Sequence, residues 1–394
     1  MRQNRYRLRR AARNRRWQRA RMLACLFFSI LLAALLLNSG GGVDLPWPAV
    51  LADPAGVDTG STVPESGGAA SAGTESDPSR GSEPDQNAGQ GSEQDPDQGQ
   101  DNNNDEKRLK PNELGQVMII MYHDVQDYES EWVRSRENLR ADLERFYNLG
   151  YTLVPLSDYL SGHIEVPAGR SPLVLTFDDG TRGQLSFIEG ESGRVLDPNC
   201  AVGILLEFSE KHPDFGHAAT FFVNSGNPFG DASRAKENLR FLLDAGMEIG
   251  NHTRTHRDLS SASPEEVAKE LGSLANEIRR LTGYEVTSLA LPFGGYPKSK
   301  ENLLGGTWED QAYHNLGVLL VGAEPAPSPF STKFNPYAIP RIRGSQSELD
   351  KWLNEMEKHP ERRYVSDGQA DIITYTVGDE VRSHPLAREY RLAQ

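Results

Sequence analysis

Two cysteines, Cys25 and Cys200, are all that the 394 residues carry. Neither a disulfide framework nor a cysteine-rich zinc fold can be built from them. Basic charge is scarce as well, with 42 lysines and arginines against 56 acids and a net charge of −14. That balance lacks the cationic surface of a sequence-independent nucleic-acid binder, so no nucleic-acid partner is expected. Long apolar runs are missing except at residues 22–37, and acids are missing from the first 37 residues. Between residues 64 and 108 there is no Leu, Ile, Val, Phe, Met, Trp or Tyr.

These absences divide the chain into three charge blocks. Residues 1–37 hold ten arginines, for +10, residues 38–110 sum to −10, and the remainder carries −14. In the first block a basic end, 1–21, precedes the apolar run 22–37. As a helix that run covers about 24 Å, a little short of a ~30 Å hydrocarbon core. The arginines keep its front on the cytoplasmic side. It reads as a signal anchor, giving a single-pass cell-membrane protein with the rest of the chain outside, or as a cleaved signal that leaves it secreted. Residues 38–110 are too poor in apolar side chains to offset their chain entropy and read as a disordered acidic linker. A flexible chain of that length spans roughly 45–50 Å.

Residues 111–394 suit one large α/β domain. Apolar runs at 117–122, 172–177, 218–223, 247–250, 288–291 and 318–321 read as buried strands. Helices are expected near 135–148, 199–211, 232–245, 264–282 and 346–356. The 264–282 helix is the clearest, with Ser263 as N-cap, Pro264 in the first turn and Glu266 completing a capping box. Asp197 or Asn199 is the expected cap of the 199–211 helix, and Cys200 the expected occupant of a small apolar niche. Residues 372–377 read as an edge strand or hairpin arm. Strand–helix alternation at this length argues for a parallel (β/α) barrel or a doubly wound sheet.

The chemistry-bearing residues gather where these strands end. Asp178 and Asp179 follow an apolar strand and precede Gly180, the position at which α/β folds place their sites. Consecutive side chains of extended backbone point opposite ways, so two different tasks are expected. His252 and His256 follow another strand, four residues apart, and one helical turn would put both rings on one side. Thr253 occupies the place a zincin-type protease gives to its glutamate, which disfavours that class. With Asp179 the two histidines make an N, N, O donor set suited to zinc or a similar divalent ion, with cobalt, nickel and iron as alternatives. Leu291-Pro292-Phe293-Gly294 and Tyr122-His123-Asp124 are two further strand ends.

Taken in order, Thr176-Phe177-Asp178-Asp179-Gly180, His252-Thr253-x-x-His256 and Leu291-Pro292-Phe293-Gly294 resemble the polysaccharide deacetylase family, carbohydrate esterase family 4. The early Tyr122-His123 segment resembles one branch of it. The resemblance covers about 117–345. It implies a deformed (β/α) barrel and metal-dependent N-deacetylation. By motif position it implies that Asp179, His252 and His256 hold the metal. It makes Asp178 the general base that activates water, and the Phe293 backbone N–H a donor to the oxyanion. His123 would replace the late catalytic histidine of other branches, as general acid. The family's usual arginine falls at Ala290 here, and Arg341 is the candidate substitute for it.

The expected activity is removal of N-acetyl groups from N-acetylglucosamine-type residues of a cell-envelope or extracellular polysaccharide, such as peptidoglycan or an exopolysaccharide. The rivals are an O-acetyl esterase or amidase on the same site, and a catalytically weak glycan-binding pseudo-enzyme.

Overall fold

The computed structural model describes residues 109–393, apart from residues 192, 377, 385, 386 and 388. The basic end, the 22–37 run and nearly all of the 38–110 linker lie outside the described residues. No helix among the described residues is long and apolar enough to cross a membrane.

Eight parallel strands form the main sheet. They are β1 Met118–Tyr122, β2 Tyr151–Leu153, β3 Ser171–Phe177, β4 Thr220–Val223, β5 Glu248–Asn251, β6 Ser288–Ala290, β7 Gly317–Leu319 and β8 Ile342–Arg343. Their order is β7-β6-β5-β4-β3-β1-β8. β2 and β4 share one edge of β3, β2 along its start and β4 along its end. The helices between them are α1 Arg136–Asn148, α2 Leu156–Ser161, α3 Ala201–Lys211, α4 Ala235–Asp244, α5 Pro264–Thr282 and α6 Gln346–Lys358.

The sheet curls into a deformed barrel, and one short segment links its two edges. Ile339 bridges Leu319 on β7, while Ile342 pairs with Ile120 on β1. Arg341 lies between those two pairs, on the seam.

Every residue of β1, β3 and β4 is buried, as expected of strands covered on both faces. Alternation divides them between two cores. Ile120, Leu175 and Phe221 join the helix side with Leu139 and Leu143 of α1 and Leu205 of α3. Ile119, Val174 and Phe222 join Ala290, Leu319 and Ile339 in the other core. Gly250 is required opposite Phe222, since a Cβ there would lie 2.2 Å from the phenyl ring.

The capping box of α5 forms in full, with Gly283 closing the helix in the left-handed region at φ 80°. The α3 cap differs from expectation. Cys200 itself is the N-cap, its buried Sγ accepting from Gly203 N–H, while Asp197 accepts from Asn199 N–H. Gly203 packs so closely on Asp197 and Pro198 that the chain enters the helix one residue late for an Asx cap. Residues 372–375 are not a hairpin arm but pair in parallel with Glu389–Leu392. His384 is half-buried against Phe330, at 5.1 Å between rings. The segment after Gly180 builds an antiparallel hairpin, Phe187–Gly190 with Gly193–Leu196.

Glu113 ties the start of the domain to its tail. Its buried carboxylate accepts from Thr374 N–H at 2.8 Å and from Ser366 Oγ at 3.3 Å. Burial dominates these bonds and pushes its pKa up to about 8. A raised carboxylate pKa stabilises the fold fully below the unfolded value, and that contribution is lost as pH rises through about 8. Glu113→Gln is therefore expected to flatten the fall in Tm of the wild-type chain between acidic and mildly alkaline pH, measured by thermal melts.

Candidate active site

β3 delivers two carboxylates by opposite means. Thr176 and Asp178 continue the inward alternation from Val174. Asp179 departs from it, its backbone turning left-handed at φ 79°, with Gly180 following at φ 61°. A non-glycine residue held there costs of order 1–3 kcal/mol and persists only where its surroundings impose it. Thr253, His256 and Phe293 are left-handed too, at φ 61°, 56° and 57°.

Asp178 is 1% exposed and Arg341 is 0% exposed. The two are joined by a fork, Nη1 to Oδ1 and Nη2 to Oδ2, each at 2.7 Å. Arg341 is itself anchored, donating from Nε to Leu320 O and from Nη1 to Thr176 Oγ1. Burial alone would raise the Asp178 pKa, but the guanidinium overrides it and holds the carboxyl below its ordinary range. Asp178 is thus an ionised, oriented acceptor. Ala290 leaves the motif position without a charge, and the barrel seam supplies one from the other side.

Asp179, His252 and His256 offer three donor atoms within 4.8 Å of one another. Asp179 Oδ1 lies 3.2 Å from His252 Nε2 and 3.1 Å from His256 Nε2. That oxygen is buried yet accepts no aligned hydrogen bond. His252 Nδ1 is 2.9 Å from the Ala290 carbonyl, which can only accept. Nδ1 therefore carries the proton and Nε2 presents its lone pair to the cluster. A buried orphan oxygen beside an imidazole lone pair is unfavourable by itself and fits a divalent cation. Burial pushes the Asp179 pKa up, and positive charge at the two imidazole edges, carried by protonated rings, more than reverses this and holds it far below the ordinary range.

The 252–256 segment is a loop and not a helical turn. Left-handed residues at both 253 and 256 break any helix, and the imidazole rings meet at 5.0 Å by that route. Polar partners impose the shape. Asn224 Nδ2 donates to the carbonyls of His252 and Thr253. Asn251 Oδ1 accepts from Thr253 N–H, and Glu270 of α5 holds both N–H and Oγ1 of Thr255.

The end of β1 splits its residues. Tyr122 points outward, its OH donating to Asp142, which Arg134 also grips. Asp124 is structural, accepting from Thr181 Oγ1 in the loop that follows Gly180. His123 faces the site, its ring 4.6 Å from that of Trp132. Desolvation lowers the His123 pKa, opposed by the charges of Asp178 and Asp179. Phe293 stands 69% exposed in the turn after β6, its ring 4.6 Å from His256. Sequence reading missed Gln184, whose Nε2 donates to the carbonyls of both His123 and Asp178. It also missed Trp132, whose ring is covered on another side by the Arg343 guanidinium at 4.1 Å. Neither stands in a spacing pattern that marks it.

A parallel β/α barrel with a carboxylate and a His, His, Asp donor set at its strand ends defines the class. Residues 165–305 match the model of the polysaccharide deacetylase family. This segment is a polysaccharide deacetylase domain. Among curated relatives, an uncharacterised 30.6 kDa protein of Geobacillus stearothermophilus is 26% identical over 147 residues, 37% of this chain and 46% of that one. The peptidoglycan-N-acetylmuramic acid deacetylase PdaC of Bacillus subtilis is 28% identical over 131 residues, 33% of this chain and 23% of that one. The chain thus spans less than half the length of each. The solved structure of Streptococcus pyogenes deacetylase PplD is 19% identical, with a TM-score of 0.45 over 58% of this chain and 92% of that one.

Two outcomes are expected. Arg341→Ala strands a buried carboxylate and should cost about 3–5 kcal/mol in urea unfolding at neutral pH, whereas pairing it with Asp178→Ala should recover part of that loss. In calorimetric titration the full chain should bind one equivalent of zinc, and Asp179→Asn should weaken binding more than tenfold.

Proposed function

We propose that the chain is a metal-dependent carbohydrate N-deacetylase acting on N-acetylglucosamine-type residues of a cell-envelope or extracellular polysaccharide. The observation that carries this reading is the ionised, forked Asp178 beside the Asp179, His252 and His256 donors. A divalent ion held there, with zinc the leading candidate, supplies Lewis-acid polarisation and brings the pKa of water toward ~7. The chain's residues then divide the work. Asp178 takes the proton from the attacking water, with Arg341 fixing the direction of its carboxylate. The Phe293 N–H serves as oxyanion donor, a contribution of about 3–4 kcal/mol for one such donor. His123 donates a proton to the departing amine. The tilted Trp132 ring, 4.6 Å away, holds its imidazole in place.

The name of the Bacillus subtilis relative supports an N-acetylated glycan as substrate class. A glycan-binding pseudo-enzyme has no use for a buried base with its own arginine, which favours the catalytic reading. Export follows from the N-terminal pattern. The 22–37 segment would hold the domain at the cell membrane, and the acidic 38–110 stretch would let it reach polymer beyond. The domain is itself acidic, so general attraction to anionic polymer does not bring enzyme to substrate.

Acetate release from N-acetylglucosamine oligomers by the full chain tests the reading. Activity should vanish with chelator, return with zinc, and fall at least a hundredfold in Asp178→Asn. Full turnover in metal-stripped protein or in His252→Ala would overturn it.

A further inference from the structure

The parallel ladder between β1 and β3 ends at the site. Tyr122 pairs with Phe177, and Asp178 N–H donates to the Tyr122 carbonyl at 2.9 Å. His123 and Asp178 therefore stand side by side, one position past the last pair. A continuing ladder would give the Asp178 carbonyl the N–H of Asp124, two residues beyond Tyr122. That N–H is turned away and donates to Trp132 O at 3.0 Å.

Gln184 takes over where the ladder stops. Its side chain is 0% exposed, and Nε2 donates to the His123 carbonyl at 2.8 Å and to the Asp178 carbonyl. Both partners can only accept, so the amide has one possible orientation. Backbone bonds fix Gln184 in turn. Its N–H donates to Thr181 O and its carbonyl accepts from Val202 N–H in α3, each at 3.1 Å. Its neighbour Gly183 is wedged against the chain leaving β1, where an added Cβ would lie 2.2 Å from the Val125 carbonyl oxygen. The amide oxygen, in contrast, is buried without a hydrogen-bond partner among the described residues. An unpaired buried acceptor costs about 1–3 kcal/mol. Stability alone does not account for a glutamine at this position, whereas its donor does.

We infer that Gln184 is a positioning residue that fixes His123 relative to Asp178, so that acid and base reach one substrate together. This rests on the deacetylase reading. Asp178 takes a proton from water and His123 gives one to the departing nitrogen, so both side chains have to reach one tetrahedral centre. A misplacement of about 1 Å at such a centre costs up to about a hundredfold in rate. Arg341 grips the Asp178 carboxylate and Trp132 flanks the His123 ring. Gln184 contacts both residues, through their backbones.

The test uses the full chain and two variants. Gln184→Met keeps the length of the side chain and removes the donor. Leu185→Ala empties a buried apolar position in the same loop and is the control for general loosening. On N-acetylglucosamine oligomers, kcat should fall roughly ten- to a hundredfold in Gln184→Met, with KM and zinc affinity within about twofold of wild type. Leu185→Ala should lower Tm without a comparable loss of kcat. A second readout needs no turnover, because the His123 ring lies 4.6 Å from the indole of Trp132 and feels its ring current. In NMR spectra of the chain with isotope-labelled histidine, the resonance that disappears in His123→Gln should shift in Gln184→Met and stay in place in Leu185→Ala. An unmoved His123 resonance in Gln184→Met, or a kcat loss in Leu185→Ala as large as in Gln184→Met, would overturn the inference. A resonance that shifts as stated in a protein that frees no acetate would support the positioning of His123 and count against the deacetylase reading.

Discussion

The site depends on one buried ion pair. A carboxylate sealed from solvent would ordinarily take up a proton, and a protonated Asp178 has no use as a base. The forked Arg341 guanidinium reverses that, and its own charge is tolerated only because Asp178, Thr176 and the Leu320 carbonyl occupy its donors. Such a pair contributes little net stability compared with apolar side chains of the same volume. Its presence in a core otherwise filled by Phe222, Val174 and Leu319 is what the proposed base role of Asp178 would require. The fold is arranged around it. Gly250 makes room for Phe222, whose ring lies beneath the guanidinium at 5.7 Å.

The seam of the barrel explains how arginine comes from this position. Residues 339–342 reach from β7 to β1. A side chain at 341 therefore points across the interior toward the end of β3. Ala290, on β6, keeps a different task through its carbonyl, which fixes the His252 tautomer. Orientation of the base and orientation of a donor histidine are thus divided between two strands. The acetate-releasing chemistry proposed for the site needs both to be rigid, since a fixed acceptor and fixed donors are what lower the barrier.

Much of this was legible in the chain. Strand positions followed from continuous apolar runs, because strands covered on both faces need them, and α5 from its Ser263–Glu266 box. The donor triad was readable because its residues follow apolar strands in a family-like order. The expectation that Arg341 substitutes at Ala290 came from the resemblance, and its fork with Asp178 is a matter of long-range topology that no local pattern encodes. Other features were hidden for the same reason. Thr253 and His256 turn left-handed because Asn224, Asn251 and Glu270, far apart in sequence, pull on one loop. The Cys200 cap depends on how closely Gly203 approaches Asp197 and Pro198. Gln184 and Trp132 act on His123 from segments with no motif of their own.

The most direct measurement is the pH profile of acetate release by the full chain and by Arg341→Ala. Arg341 holds the Asp178 pKa down, so its removal should raise that pKa and move the acid limb of the residual activity to higher pH. An Arg341→Ala protein with undiminished activity and an unmoved acid limb would contradict the claim that the seam arginine makes Asp178 the base.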